Sequence, residues 1–447
     1  MPQEFHTIVV GGGISGLCAA HRLTEALGND SVLILEANDA PGGYCRTDVI
    51  DGFVCDWGPN GFLDKEPKML EWIDALGLSD ELIRANEASA KRFLMLNDRL
   101  AELAPPPRFF AQPLLSVRGK LRLMMEPLIA KKLDDEPESV YDFAARRIGR
   151  GAAATILGAM ALGVFGGNAR KLSLKHCFPV MAEMEREYGS LVKAMMKRGG
   201  GGGPRGTLTT LRGGIGGLTN RAGETLGDAL KLNAPVRRVT KTAGYKVELM
   251  TGVEYECQHL VLALQSPRAG EITWGLNDEG LSRYLSVIPH ASIAVVCTAY
   301  PVEKVGRSTN GFGFLIPPNQ HKRVLGCIWT SSVFDDYAPE GYVFLRTMIG
   351  GADDPDAVRM TDADLVSAVK EDVHPVMRID VEPEFVKIYR HRTGIPQYYL
   401  NHGDILNNLD YALKRFPGLH LAGNAYRGVS LNDCVVNATA VADEILS

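Results

Sequence analysis

The stretch from residue 6 to residue 47 constrains this chain more than any other. Residues 7–10 form a short apolar, β-branched run, which predicts a buried parallel strand. Gly11, Gly13 and Gly16 follow with the spacing G-x-G-x-x-G. In that spacing the first glycine allows a tight turn and the second lets backbone approach a pyrophosphate. The third lets the next helix pack closely on the sheet. From Ile14 onward Leu17, Ala20 and Leu23 recur at helical spacing, so Ile14 and Ser15 open a helix whose free N–H groups face the phosphates. Residues 31–35 predict a second strand that ends at Glu36, where an acid accepts from a ribose hydroxyl. A lone G-x-G-x-x-G is a weak signal; strand, turn, helix, strand and terminal acid together predict a bound dinucleotide.

After Glu36 the chain reads Ala37-Asn38-Asp39-Ala40-Pro41-Gly42-Gly43-Tyr44-Cys45-Arg46-Thr47. This resembles the extended FAD fingerprint of the amine-oxidase-like flavoproteins, so FAD is expected rather than NAD. A glycine pair beside the cofactor gives backbone N–H groups close access to phosphate. Tyr44 takes a position that is more commonly charged or polar in that fingerprint.

At 447 residues the chain is expected to form two or three domains around a large core. Its net charge of −5 gives no general drive toward nucleic acid. The eight cysteines have no C-x-x-C pair, which argues against zinc or a disulfide framework and suits a reducing cytosol. Most are expected to be small core residues. The first residues carry Glu4 and run straight into a strand, which does not read as a signal peptide. Residues 151–167 are uncharged but too short and too rich in Gly and Ala for a membrane span, so a buried helix is expected.

Along the chain, residues 68–82 predict an amphipathic helix and 91–103 a hairpin turning at Asn97-Asp98. Residues 108–132 carry six Lys/Arg against one acid, Glu126, interleaved with apolar residues. That segment fits either a membrane-surface contact or a solvated helix face with an ordinary core side. Residues 140–196 read as helical and 198–206 as a flexible glycine linker. Three strands are expected within 234–264, with Val236 passing near the adenosine. Further strands within 292–349 suggest an antiparallel wall for a substrate, followed by a helix at 362–374 and a loop at 389–399. The last stretch, 419–447, reads as strand, turn and helix, and its Gly423-Asn424 and Val429-Ser430-Leu431 suggest a second cofactor contact. The fold class is therefore α/β. It comprises a discontinuous Rossmann-like FAD-binding domain (1–90, 205–275, 405–447), an antiparallel-sheet substrate domain (91–104, 276–404) and a helical domain (105–204).

Several motifs carry a more specific resemblance. These are ASAKRFLMLNDRL, the 163–191 segment GVFGGNARKLSLKHCFPVMAEMEREYGSL, GFGFLIP with LGCIWTSSVFDD, and HLAGNAYRGVSLNDCV. Together they resemble the oxygen-dependent porphyrinogen oxidases over nearly the whole chain. The resemblance implies that Arg92 pairs with a substrate propionate, a role that suits a planar guanidinium. It places Gly58 and Pro59 at the cofactor and Asn60 above the flavin, facing the substrate. Leu315, Ile328 and Met348 match apolar positions that sandwich the macrocycle. Gly163 and Gly166 match small positions on the cavity wall. His391 stands where many members have a tryptophan near the flavin.

The implied activity is oxidation of protoporphyrinogen IX to protoporphyrin IX in heme biosynthesis, with six electrons passing through FAD to O2 and giving H2O2. Coproporphyrinogen III is the alternative substrate; its four propionates would ask for more cations than Arg92. A carotenoid desaturase or amine oxidase, and a non-enzymatic escort protein on the same fold, are the rivals of other kinds. The motifs contain no acid–base dyad, triad or metal cluster, so no catalytic residue and no metal is assigned. The expected partners are the porphyrinogen and O2, with no nucleic acid, in a monomer or homodimer. The expected location is cytoplasmic, with peripheral association at the inner membrane surface left open.

Overall fold

A computed structural model describes residues 2–105, 107–197 and 206–447. Its frame is two seven-stranded sheets. In the first the order is Leu230–Lys231, Val32–Leu35, Gln3–Val10, Glu254–Leu262, Tyr245–Leu249, Val236–Lys241, with Leu419–Leu421 added beside Glu254–Leu262. Parallel pairing joins Gln3–Val10 to both Val32–Leu35 and Glu254–Leu262. These strands come from chain segments far apart in sequence. The three central parallel strands alternate between two covered faces, so Val9, Ile34 and Val261 enter one core while Ile8, Leu33 and Leu260 enter the other.

The second sheet has the order Phe385–Pro396, His290–Pro301, Tyr342–Gly351, Val324–Trp329, Gly313–Leu315, Arg92–Leu96, Arg99–Glu102. The hairpin predicted at 91–103 is present, and Asn97 and Asp98 both take positive φ, as a two-residue turn between twisted strands requires. It enters this sheet by parallel pairing of Arg92–Leu96 with Gly313–Leu315. One sheet face packs on the helix Asp362–Met377 through Val296, Cys327, Leu345, Val369 and Val373. Alternate residues on the same strands form the opposite face, which meets the separate two-stranded hairpin Thr47–Ile50/Phe53–Asp56 at Phe53 and Cys55.

Two expectations need correction. The expected loop at 389–399 is mostly strand, Phe385–Pro396, paired antiparallel along His290–Pro301. Its sequence is too polar to announce a strand; the long partner supplies the ladder. The expected helix at 68–82 runs only from Pro67 to Ala75, because Gly77 at φ 69° ends it and residues 82–84 turn into a strand.

Residues 140–188 are largely helical. Helix Gly158–Phe165 ends at Gly166 in the left-handed region. Among the described residues no helix is long and apolar enough to cross a membrane. The expected linker at 198–206 lies outside the described residues except for Gly206. Seven of the eight cysteines are buried, Cys177 is half-buried, and all eight are free.

Candidate functional site

The glycine turn is built by close backbone approach. Gly11 donates to Leu35 O at 2.8 Å and Ala263 donates to Val10 O at 2.9 Å, so the turn closes over three parallel strands. A Cβ on Gly16 would sit 1.9 Å from Gly11 O, so only glycine lets the helix Ile14–Leu27 seat there. A Cβ on Gly13 would meet nothing within 4 Å, which leaves that side open for a phosphate. The Gly42-Gly43 turn folds back on it, with Gly42 donating to Gly12 O at 2.7 Å. Gly43, at φ 58°, faces Gly13. Ser15, buried, and Ile14, also buried, open the helix beneath.

Glu36 is buried at the end of its strand. Its Oε2 accepts Gly12 N at 2.7 Å, and its Oε1 accepts Asn38 N at 2.9 Å and Asn38 Nδ2 at 2.6 Å. Oε2 keeps a lone pair, so the carboxylate is oriented by the protein and still able to accept a ribose hydroxyl. Ala37 is exposed. Ala234 donates to Glu36 O and Asn233 to Asn38 O, which brings the buried Val236 segment alongside the acid.

The far end of the chain reaches the same sheet. Ala422 donates to Leu262 O at 3.0 Å, Gly423 turns at φ 115°, and Asn424 O accepts the Tyr398 hydroxyl. Val429 leads into a capping box in which Ser430 and Asp433 serve each other's N–H groups. The helix begins at Leu431. First-turn N–H groups at Leu431 and Asn432 have no intrahelical acceptor and carry the positive end of the helix dipole.

Between the two sheets lies the turn formed by Trp57, Gly58, Pro59 and Asn60. Thr47 Oγ1 donates to Asp56 Oδ1 at 2.6 Å, and Ile215 N reaches the same oxygen at 3.2 Å. Burial pushes the Asp56 carboxyl up to about 6, although Thr47, Arg346, Tyr337 and Ile215 all favour its charged form. Arg346, buried on Tyr342–Gly351, donates through Nη2 to Gly58 O. His391, buried on Phe385–Pro396, bonds through Nε2 to Trp57 O at 2.7 Å. Burial lowers the His391 pKa, and a carbonyl only accepts, so the ring is neutral with its proton on Nε2. Its ring centroid is 4.4 Å from that of Tyr44. Trp57 Nε1, Asn60 Nδ2, Arg346 Nε and Asp56 Oδ2 are buried without a hydrogen-bond partner.

The second sheet gathers the expected substrate residues on one face. Arg92, Gly313, Ile328 and Arg346 form one cross-strand row, and Leu315, Gly326 and Met348 form the next. Ile328 is buried, while Leu315 and Met348 are half-buried. Arg92 is exposed and has no acidic partner among the described residues; its guanidinium lies 5.3 Å from the centre of the Phe312 ring. The protein packed around it still lowers its pKa by desolvation.

The two wall glycines have nearer occupants than a substrate. A Cβ on Gly163 would stand 2.7 Å from Leu315 Cδ2, and one on Gly166 would stand 2.9 Å from Ile293 Cδ1. Gly163 makes room for the side chain of Leu315, itself one of the expected substrate residues, and Gly166 caps a helix. Sequence reasoning missed Arg346 and the pairing of His391 with the loop. The available signal was a lone arginine within the apolar run Tyr342–Gly351, two residues before Met348.

This chain belongs to the flavin containing amine oxidoreductases, whose family model matches residues 14–446. It is 31% identical to a chloroplastic protoporphyrinogen oxidase of Oryza sativa subsp. japonica, over 98% of this chain and 87% of that protein. It is 28% identical to the coproporphyrinogen III oxidase of Bacillus subtilis (strain 168), over 99% of this chain and 98% of that protein. A solved protein from Exiguobacterium sp. 255-15 has the same fold, with a TM-score of 0.86 at 24% identity over 99% of this chain and 98% of that one. The resemblance read from the motifs holds, and the cofactor is FAD. The open side of Gly13, the free lone pair of Glu36 and the buried donors without acceptors at Trp57 and Asn60 fit it.

Proposed function

We propose that this chain oxidises a porphyrinogen to the porphyrin in heme biosynthesis, with protoporphyrinogen IX as its substrate and O2 as the terminal oxidant, yielding H2O2. Bound FAD would supply a hydride acceptor for a meso carbon, with a pyrrole N–H proton released to solvent at each two-electron step and O2 taking the electrons to give H2O2. The chain's residues bind, orient and exclude water. Gly11, Gly13, Gly16, Gly43 and the turns at 423–424 and 429–431 would hold the phosphates and the flavin edge; Glu36 would hold the ribose. Arg92 would take a propionate, while Leu315, Ile328 and Met348 present the apolar surface of a flat macrocycle. Asn60 would lie between cofactor and substrate. In this reading the chain divides into the cofactor, substrate and helical units given above.

The observation that carries it is Arg92, a cation without an acid beside it, at the edge of an apolar sheet face whose next arginine grips the cofactor loop. A carboxylated, otherwise apolar ligand suits that arrangement. Coproporphyrinogen III is the second reading, favoured by the Bacillus subtilis relative. Arg92 is the one cation among the substrate residues named above, which favours two propionates over four. Porphyrin fluorescence from each porphyrinogen in air, with flavin bleaching without air, tests both. Coproporphyrin alone would reverse the choice. No bleaching by either would end the reading, and a protein that stays colourless after added FAD would point to an escort.

The same reading puts the protein on the inner surface of the cytoplasmic membrane. Helix Val117–Met124 has no buried residue. Val117, Leu121, Met124, Leu128 and Leu133 are 56–88% exposed, beside exposed Arg118 and Lys131. In a chain of net charge −5, this basic apolar edge suits an anionic bilayer. It should sediment with vesicles containing phosphatidylglycerol and not with pure phosphatidylcholine; equal recovery without vesicles would refute this.

A further inference from the structure

The loop that carries Asn60 is held at almost every backbone point. Trp57 N donates to Arg46 O at 2.9 Å. A Cβ on Gly58 would stand 2.7 Å from Tyr44 O, and one on Gly61 would stand 2.5 Å from Thr209 O. The two carbonyls between those points are held by side chains of the other sheet. His391 Nε2 takes Trp57 O at 2.7 Å, and Arg346 Nη2 takes Gly58 O. Both donors are buried, and both stand on the face that also carries Ile328 and Met348. Asn60 follows two residues later with Nδ2 buried and no acceptor. An amide donor left without a partner in the interior is costly, and the flavin edge offers acceptors.

We propose that Arg346 and His391 are positioning residues, a two-point clasp that fixes the cofactor loop against the substrate wall and sets Asn60 as a donor to the flavin. The guanidinium suits this task because it is planar and always charged, and its second row of donors is free to adjust. His391 contributes through its Nε2–H and not through ring stacking on the flavin. The clasp acts on the cofactor whatever porphyrinogen is used, so its failure and the failure of the proposed reaction read out separately.

The test is the two-electron midpoint potential of bound FAD in the purified holoprotein, measured by dye-coupled reduction. A donor against the flavin favours the electron-rich reduced form. Asn60→Ala, Arg346→Met and His391→Leu should each lower the reduction equilibrium at least tenfold, about 30 mV for a two-electron couple. Arg346→Lys and His391→Gln, which keep a donor, should stay within about threefold of wild type. Because the clasp acts through Asn60, Arg346→Met combined with Asn60→Ala should lie no lower than Asn60→Ala alone. Unchanged potentials in the FAD-loaded single variants would overturn the proposal, and so would effects that multiply in the double variant. If Arg346→Met does not retain FAD, His391→Leu against His391→Gln decides by the same criterion. Loss of FAD from all four clasp variants would also overturn it, because the pair would then serve folding alone.

Discussion

Replacing Arg147 with methionine should loosen the basic apolar edge from the rest of the helical region. Arg147 and Glu126 are both fully buried. The arginine donates through Nε to Glu126 Oε1 at 2.8 Å, through Nη1 to Ile129 O at 2.9 Å and through Nη2 to Gly189 O at 2.9 Å. Glu126 in turn accepts Ser190 Oγ at 2.5 Å, Leu191 N at 2.9 Å and Val192 N at 3.2 Å. This network joins the turn at 126–128 to the start of helix Leu191–Lys197. Burial alone would raise the Glu126 pKa, but Ser190, Leu191 N and Arg147 outweigh it and hold the carboxyl below its ordinary value.

Methionine keeps most of the apolar volume and removes every donor. Glu126 would remain as a buried charge without its cation, and Ile129 and Gly189 would lose a hydrogen-bond partner. Breaking a buried pair from one side costs about 3–5 kcal/mol. At about 1.4 kcal/mol per tenfold, local opening should rise roughly a hundredfold or more. Hydrogen exchange at the amides of residues 126–132 and 189–192 reads this directly. Binding to anionic vesicles should weaken with it, while the cofactor stays bound. The double variant Glu126→Leu with Arg147→Met has no stranded charge and should recover most of the protection. A change of less than tenfold in Arg147→Met, or a double variant no better protected than the single, would refute the reasoning.

Three further outcomes follow from the site. Gly16→Ala places a methyl 1.9 Å from Gly11 O, so the flavin-to-protein absorbance ratio after purification should fall at least tenfold; a normal ratio would show that the helix can retreat. Arg92→Ala should raise KM about tenfold with kcat little changed, because a peripheral carboxylate contact acts alike in ground and transition states; steady-state rates decide, and a pure kcat loss counts against the role. Asp56 carries a pKa raised to about 6 from 3.8, so the folded state binds more protons than the unfolded between those values. Stability should therefore fall as pH rises through that window, by about 3 kcal/mol for this group, and Asp56→Asn should flatten the slope of denaturant midpoint against pH.

The local part of this protein was legible in its residues. The glycine turn and Glu36 lie in one strand–helix–strand unit whose repeats of two and 3.6 residues leave a pattern in the chain, and the Gly42-Gly43 return was read from its resemblance to the FAD fingerprint. The strands at 236–262 and the hairpin turning at Asn97 and Asp98 came out for the same reason. The strand Phe385–Pro396 did not, because its polar sequence becomes a strand only when His290–Pro301 offers it a ladder. Gly163 also read differently: the residue beside it in space, Leu315, is far from it along the chain.

The clasp shows where local pattern ends. Arg346 lies 288 residues from Gly58, and His391 lies 334 residues from Trp57. Nothing periodic links such positions; sheet register and the packing of one sheet's face on another's loop bring them together. The sequence by itself pointed to a bound dinucleotide, and its resemblance to the FAD fingerprint to a flavin. Only the tertiary structure decided which side chains hold the loop at 57–60 against the second sheet, because that contact is set by sheet topology and not by either segment alone.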